Sequence, residues 1–319
     1  MSATRDAIVL VDSRSHSMAD LDDLLVSTSR TFAVSIPLLP EPTRREVTIA
    51  YLLFRIADTF EDASHWPRES RIEALRSFVE LLDSNDPEAM AEAARGWVEM
   101  GPSAHEGYVD LLGALPEVLG AFHGLAVAAQ ATIRDHTVRT ALGMADFVAR
   151  TSEGGVLLLR DLKDLQGYCY VVAGIVGEML TSLFVRDRLS LASAGGYLEA
   201  RAARFGEALQ LVNILKDSAD DLLEGRSYLP AGVDRLEVFR LAREDLEVAT
   251  EYVRALQRAG APRGFVAFTA LPVLLARATL DRVEEAGPGA KLTRPEVAAI
   301  VQQMNQDLDH DRPAIEEMK

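Results

Sequence analysis

Four aspartates pose the chemical question. In Tyr51-Leu52-Leu53-Phe54-Arg55-Ile56-Ala57-Asp58-Thr59-Phe60-Glu61-Asp62, the residues Tyr51, Arg55, Asp58 and Asp62 recur at helical spacing and share one face of a mostly apolar stretch. Further on, Gln210, Asn213, Asp217 and Asp221 fall on one face by the same spacing. Two carboxylates one turn apart on an exposed helix repel by about 0.2–0.5 kcal/mol. A helix apolar on its other sides is expected to be buried, and an inward acidic pair there asks for a cation. Oxygen-only ligands favour Mg²⁺, which keeps waters and takes phosphate oxygens as well. Asp58, Asp62, Asp217 and Asp221 are therefore the candidate metal ligands, and the chemistry implied is a diphosphate held through Mg²⁺ in a shared cavity. For either pair alone, a solvated acidic helix end is the plainer reading; the second pair tips the balance. Glu61 and Asp220 point off these faces and read as solvated.

The other candidates each carry two readings. Arg55 sits one turn from both Tyr51 and Asp58, so it either neutralises Asp58 or contacts phosphate through its planar fork. Arg30, Lys216 and Arg226 are further cations near these motifs. Tyr168 is either a proton donor or acceptor beside a cationic centre, or a core tyrosine with a satisfied hydroxyl. Phe32 and Tyr51 are core aromatics by default, or ring faces for a carbocation. Ala173, Gly177 and Thr181 form a stripe of small residues, which serves close helix packing or leaves a groove for a long apolar chain. The six histidines show no metal spacing, Cys169 reads as a packed residue, and no phosphate-loop or dinucleotide glycine motif is present.

The elements that must position these residues read as helices throughout. A helix begins near Met18 and carries Ser29-Arg30-Thr31-Phe32 inside it; Pro37, Pro40 and Pro42 end it. The helix bearing Asp58 and Asp62 follows, then one starting at Pro67 and another capped by Asp86-Pro87-Glu88 and closed by Gly101. Residues 108–151 read as two or three helices broken around Pro116 and Asp135, and Gly154-Gly155 as a break. Long helices are expected over residues 162–185 and 201–223, the latter ended by Gly225. Further helices are expected over 243–259 and 265–285, and an amphipathic segment after Pro295. No alternating strand pattern, repeat or low-complexity tract appears, so the fold class is all-α. Residues 1–18 are expected to be a flexible tail and 19–319 a single helical domain.

The chain has 319 residues, 48% of them hydrophobic, with 33 Lys+Arg against 49 Asp+Glu and a net charge of −16. That balance argues against general binding to nucleic acid or to anionic lipid by charge. One cysteine allows no internal disulfide. No signal peptide is evident, and the longest apolar runs, near 170–185 and 265–276, fall short of the roughly 20 residues of a spanning helix. A soluble, cytoplasmic protein is expected, touching a membrane at most peripherally through an apolar rim.

At this point the motifs resemble a family. Ser29-Arg30-Thr31-Phe32, the stretch 51–62, Tyr168-Cys169-Tyr170-Val171-Val172-Ala173-Gly174-Ile175-Val176-Gly177, and Asn213-Ile214-Leu215-Lys216-Asp217 through Arg226-Ser227-Tyr228-Leu229-Pro230 resemble the squalene and phytoene synthases, in the expected order. Asp58-Thr59-Phe60-Glu61-Asp62 and Phe268-Thr269-Ala270-Leu271-Pro272 are similar to the squalene synthase forms. Lys291-Leu292-Thr293-Arg294 is similar to a segment that family associates with NADPH, with Thr293 where an arginine is usual; Lys216 likewise replaces a common arginine. The C-terminal membrane anchor of eukaryotic squalene synthases is not seen.

The resemblance implies an isoprenoid synthase fold and head-to-head coupling of two farnesyl diphosphates to squalene, with Mg²⁺ and NADPH. It implies catalytic roles for Tyr51, Arg55, Asp58, Asp62, Tyr168, Asp217 and Asp221. It implies substrate contacts from Ser29, Arg30, Thr31, Phe32, Ala173, Gly177, Gln210, Asn213, Lys216, Arg226, Tyr228 and Phe268, and cofactor contacts from Asn213, Lys291 and Arg294. The alternatives are an enzyme that stops at presqualene diphosphate or makes dehydrosqualene or phytoene without reduction, and a helical scaffold that kept the fold without the chemistry.

Overall fold

The computed structural model describes residues 18–29, 31–152, 157–223 and 227–317. The expected tail, Arg30, the Gly154-Gly155 break, Gly225 and Arg226 lie outside the described residues. Among those described there is no strand. In chain order the helices are α1 (Met18–Thr28), α2 (Phe32–Ser35), α3 (Thr43–Glu61), α4 (Arg68–Leu81), α5 (Pro87–Glu99), α6 (Glu106–Gly113) and α7 (Leu115–His123). They continue as α8 (Val127–Val148), α9 (Leu162–Cys169), a π turn (Tyr170–Gly174), α10 (Ile175–Asp187), α11 (Gly195–Leu223), α12 (Arg235–Arg258), α13 (Arg263–Ala286) and α14 (Arg294–Asp309).

α3 lies at the centre. Ile49, Ala50, Leu52, Leu53, Ile56, Ala57 and Phe60 are wholly buried, so the one polar stripe on this helix is what remains to face a cavity. α11 is the longest helix and packs most extensively on α12 and α10. Its approach to the π turn and α10 depends on glycine: a Cβ on Gly177 would stand 2.0 Å from the Ala202 carbonyl oxygen, and one on Gly206 2.0 Å from that of Ala173. Buried apolar side chains from α1 through α14 form one contiguous cluster.

Several boundaries differ from the sequence reading. Ser29 does not continue α1: its hydroxyl accepts the Phe32 N–H at 2.9 Å, which serves the start of α2 instead of extending the first helix. Asp135 is interior to α8, and the break falls at Gly124-Leu125-Ala126. α12 begins at Arg235, capped by the Asp234 carboxylate on the Leu236 N–H at 2.9 Å. Asp86 caps α5 as expected, accepting from Glu88 and Ala89. Pro272 sits inside α13, where it removes the N–H that would have bonded the Phe268 carbonyl.

Two helical stretches, Leu162–Asp187 and Arg263–Ala286, prove long and apolar enough by length and composition to cross a bilayer. Contiguous apolar runs understated them, because helix geometry carries each past its flanking charges. In this fold 56% and 61% of their apolar windows are buried inside the protein, as for core helices.

Candidate active site

Both carboxylate groups lie toward the C-terminal ends of their helices. Asp58, Glu61 and Asp62 close α3, Asp221 lies in the last described turn of α11 with Asp217 one turn before it, and neither helix has a basic residue in its last turn. The helix dipole places partial negative charge there, so carboxylates cost stability at these ends unless a cation joins them. The two ends line one polar pocket with an empty volume of about 890 Å³, open solvent included. Its walls are Arg55, Asp58, Glu61, Asp62, Tyr168, Val172, Gln210, Asn213, Ile214, Lys216, Asp217, Asp221 and Tyr228.

On the α3 wall, Arg55 Nη1 donates to Asp58 Oδ2 at 2.8 Å and Nε to Tyr51 Oη at 3.4 Å. Tyr51 Oη donates in turn to the Thr28 carbonyl at 2.9 Å, tying the end of α1 to the site. The guanidinium carbon lies 5.7 Å from the Tyr51 ring centre and 5.2 Å from that of Tyr108. Arg55 thus does neutralise Asp58, and it faces the pocket while doing so. Burial pushes the Asp58 carboxyl up to about 6; Arg55 opposes this and Asp62 adds to it. The Arg55 guanidinium loses by burial but is held charged by Asp58, Tyr51 and Tyr108.

On the α11 wall, Lys216 Nζ stands 3.1 Å from Asp217 Oδ2 and 3.4 Å from Asn213 Oδ1. Tyr228, from the loop after α11, donates to Asp62 Oδ1 at 3.4 Å and so links the two walls. Its ring stacks on Tyr168 at 5.0 Å, while Phe147 meets Tyr168 edge-on at 5.3 Å. Tyr168 is 3% exposed, and burial, then Glu61, Tyr228 and Asp62, push its hydroxyl well above the usual phenol range. Burial at this position thus favours the neutral phenol.

Glu61 corrects the sequence reading. It is 5% exposed and lines the pocket instead of facing solvent. Strict one-turn spacing from Asp58 leads to Asp62, but a residue three along lies on the same side of a helix, and that signal was available. Asp220 is exposed, as read.

The polar pocket opens into an apolar chamber of about 1050 Å³ empty volume, open solvent included. The chamber shares Arg55, Asp58, Val172, Gln210 and Asn213 with it and adds Phe32, Tyr51, Phe54, Met144, Ala173, Val176, Gly177, Leu180, Phe205, Phe268 and Pro272. Phe32 and Tyr51 stand 5.5 Å apart at its rim. In the small-residue stripe, Ala173 and Gly177 line the chamber and also carry the contact with α11. Thr181 does not line it; its hydroxyl pairs with the Gly177 carbonyl and Tyr252 Oη in the core.

The remaining described candidates lie outside both cavities. Ser29 is half-buried and lines neither; Thr31 is exposed and borders a smaller cleft with Phe32, Asn213, Lys216 and Pro272. Lys291 and Arg294 are exposed and line none of these spaces, although Gly289 before them donates its N–H to the Lys216 carbonyl at 2.7 Å. Thr293 is spent on a capping box with Glu296 at the start of α14. Cys169 is buried and free, its thiol pushed well up by burial, then Glu207 and Asp245.

Among the described residues no three His, Cys, Asp or Glu side chains lie close enough together to hold an ion by themselves. The donor set is nevertheless all oxygen, split between facing walls, with Asp58 bearing a raised proton affinity. Such a set fits divalent cations whose coordination is completed by water and phosphate, as Mg²⁺ prefers.

Comparison with known proteins decides the family. The profile of the squalene/phytoene synthases matches residues 25–233, which include both aspartate pairs. The chain belongs to the squalene/phytoene synthase family. Its relatives include a squalene synthase of Botryococcus braunii, 32% identical over 204 residues that make up 63% of this chain and 39% of that one. The squalene synthase of Candida albicans is 33% identical over 208 residues, 65% of this chain and 44% of that one. The chain therefore matches less than half the length of these curated squalene synthases. A structure of TcSQS with the ligand E5700 superposes with a TM-score of 0.72 at 28% identity, covering 89% of this chain and 84% of that one. A dehydrosqualene synthase with ligand gives 0.53 at 18% identity, which shows the shared all-α isoprenoid synthase fold.

Proposed function

We propose that this squalene/phytoene synthase family member couples two farnesyl diphosphates head to head through presqualene diphosphate, and that its helices act as one domain. The observation that carries this reading is the junction of the two cavities: a carboxylate pocket and an apolar chamber sharing Arg55, Asp58, Val172, Gln210 and Asn213. A prenyl diphosphate has that same two-part chemistry.

Asp58, Asp62, Asp217 and Asp221, with Glu61 beside them, would hold Mg²⁺; when bound it supplies positive charge to the leaving diphosphate. Arg55 and Lys216 add charge from the protein, and Arg30 and Arg226 are assigned the same role from the family motif. The C1–O bond of one substrate breaks, leaving an allylic cation and inorganic diphosphate. The Phe32 and Tyr51 rings border the space where that cation forms. The double bond of the second substrate attacks, one proton leaves, and the cyclopropane of presqualene diphosphate closes. Tyr168, neutral and buried, donates hydrogen bonds; the proton passes to a diphosphate oxygen, the stronger base. The apolar wall keeps water from quenching the cation.

The full reaction would continue to squalene with a hydride from NADPH, for which Asn213, Lys291 and Arg294 are the assigned residues. A second reading ends without reduction. It is favoured by the exposed position of Lys291 and Arg294 away from both cavities, and by Thr293 being occupied as a helix cap. Incubation with farnesyl diphosphate and Mg²⁺, with and without NADPH, separates the readings by product mass. Release of inorganic diphosphate without any coupled hydrocarbon or presqualene diphosphate would sink both. A cytoplasmic enzyme with peripheral membrane contact for product release remains our expectation.

A further inference from the structure

A second set of ionisable side chains lies behind the π turn, between α8, α10, α11 and α12. Glu178 of α10 takes Arg139 Nη2 of α8 at 2.7 Å and the Tyr170 hydroxyl at 3.2 Å. Asp245 of α12, 1% exposed, takes Arg204 Nε of α11 at 2.5 Å, and its other oxygen is buried without a hydrogen-bond partner. Glu207 of α11 is the third carboxyl, 8% exposed, with the buried Cys169 thiol also near it. Both guanidiniums are engaged by the other two carboxylates, and among the described residues no cation lies within ion-pair distance of Glu207. A buried carboxyl with no cation of its own, beside two carboxyl groups that each hold a guanidinium, is disfavoured as an anion. Its position bears on the site. A Cβ added to Gly174, the last residue of the π turn, would lie 3.1 Å from Glu207 Oε1 and 2.8 Å from the Tyr170 ring. Val172 and Ala173 of the same turn line the apolar chamber.

We propose that Glu207 is a positioning residue: its carboxyl group, packed against Gly174 with no guanidinium of its own, seats the π turn and thereby sets where Val172 and Ala173 bound the apolar chamber. The consequence for prenyl length rests on the coupling reading above; the seating of the turn does not. Burial first, then Asp245 and Glu178, push this carboxyl up to about 7, with Arg204 opposing. The folded state then binds more protons than the unfolded one, so stability falls as pH rises from the ordinary 4.5 through about 7.

The test uses the whole chain and its Glu207→Gln and Glu207→Ala variants. Amide hydrogen exchange of residues 170–174, corrected for intrinsic rates, should lose about tenfold protection between roughly pH 6 and pH 8 in the wild type and hold steady in Glu207→Gln. Equal profiles in the two proteins, or a flat wild-type profile, overturn the proposal, and the wild-type measurement stands if a variant fails to fold. In turnover, Glu207→Gln should keep the wild-type ratio of kcat/KM for farnesyl over geranylgeranyl diphosphate, while Glu207→Ala shifts it by about threefold or more. An unchanged ratio in Glu207→Ala overturns the link to the chamber. No coupling by any of the proteins, with the exchange contrast intact, overturns the functional reading and leaves the seating of the turn standing.

Discussion

At the scale of the residue, the site is governed by carboxylates placed where helices least welcome them. Asp58→Asn keeps the shape and the Arg55 contact but removes one negative charge from the metal wall. It should lower kcat by about 10²–10³-fold, the usual cost of one preorganised charge-stabilising group, with the melting temperature unchanged or raised. A raised temperature follows because Asp58 is destabilised as an anion by burial and by Asp62. Steady-state kinetics beside a thermal melt checks both halves. The same carboxyl makes Mg²⁺ binding depend on pH. Its proton affinity is raised to about 6, so the metal must displace a proton below that value. Affinity should drop as pH falls through about 6 and level off above it; calorimetry in buffers of differing ionisation heat reads the released proton. The sequence showed Asp58, Asp62, Asp217 and Asp221 by one-turn spacing alone. Glu61 is less legible, because it lies three residues from Asp58 and strict one-turn steps lead to Asp62 instead. Burial of Tyr168 between Tyr228 and Phe147 depends on three segments meeting, which no local pattern contains.

At the scale of the element, the π turn and the glycines on either side of it are what let α11 reach the site. Gly206→Ala would drive a methyl into the Ala173 carbonyl. Either helix must give, at a cost of about 1–3 kcal/mol by analogy with overpacked cores, and denaturant melts should show it together with a raised KM for prenyl diphosphate. A stability change without any change in KM would mean the strain is absorbed away from the chamber. Thr293→Ala removes a capping box and should cost about 1 kcal/mol, while leaving the product mixture with and without NADPH as it was. A changed mixture would restore the 291–294 segment to the cofactor. Helix periodicity announced most of these elements. It could not announce the π turn, because the same residues satisfy α-helical spacing, and the packing of that turn on α11 is a long-range contact. Nor could it place the end of α1, where the Ser29 hydroxyl serves α2.

At the scale of the whole molecule, an acidic chain carries an acidic pocket, so neither free diphosphate nor metal alone should be held well. Stripping divalent ions with a chelator should leave the helical circular dichroism intact, since the core is a contiguous cluster of apolar side chains. Mg²⁺ together with pyrophosphate should raise the melting temperature more than the two separate increments added, because each ligand neutralises what repels the other. Strictly additive shifts would argue against a shared site.

Pro272 adds one further consequence. A proline inside α13 deprives the Phe268 carbonyl of its helical donor, and both residues border the chamber. A carbonyl freed in this way is a permanent electron-rich dipole that costs nothing to orient. On the proposed chemistry, a chain passing from neutral to cationic beside it would find such a dipole turning from indifferent to attractive.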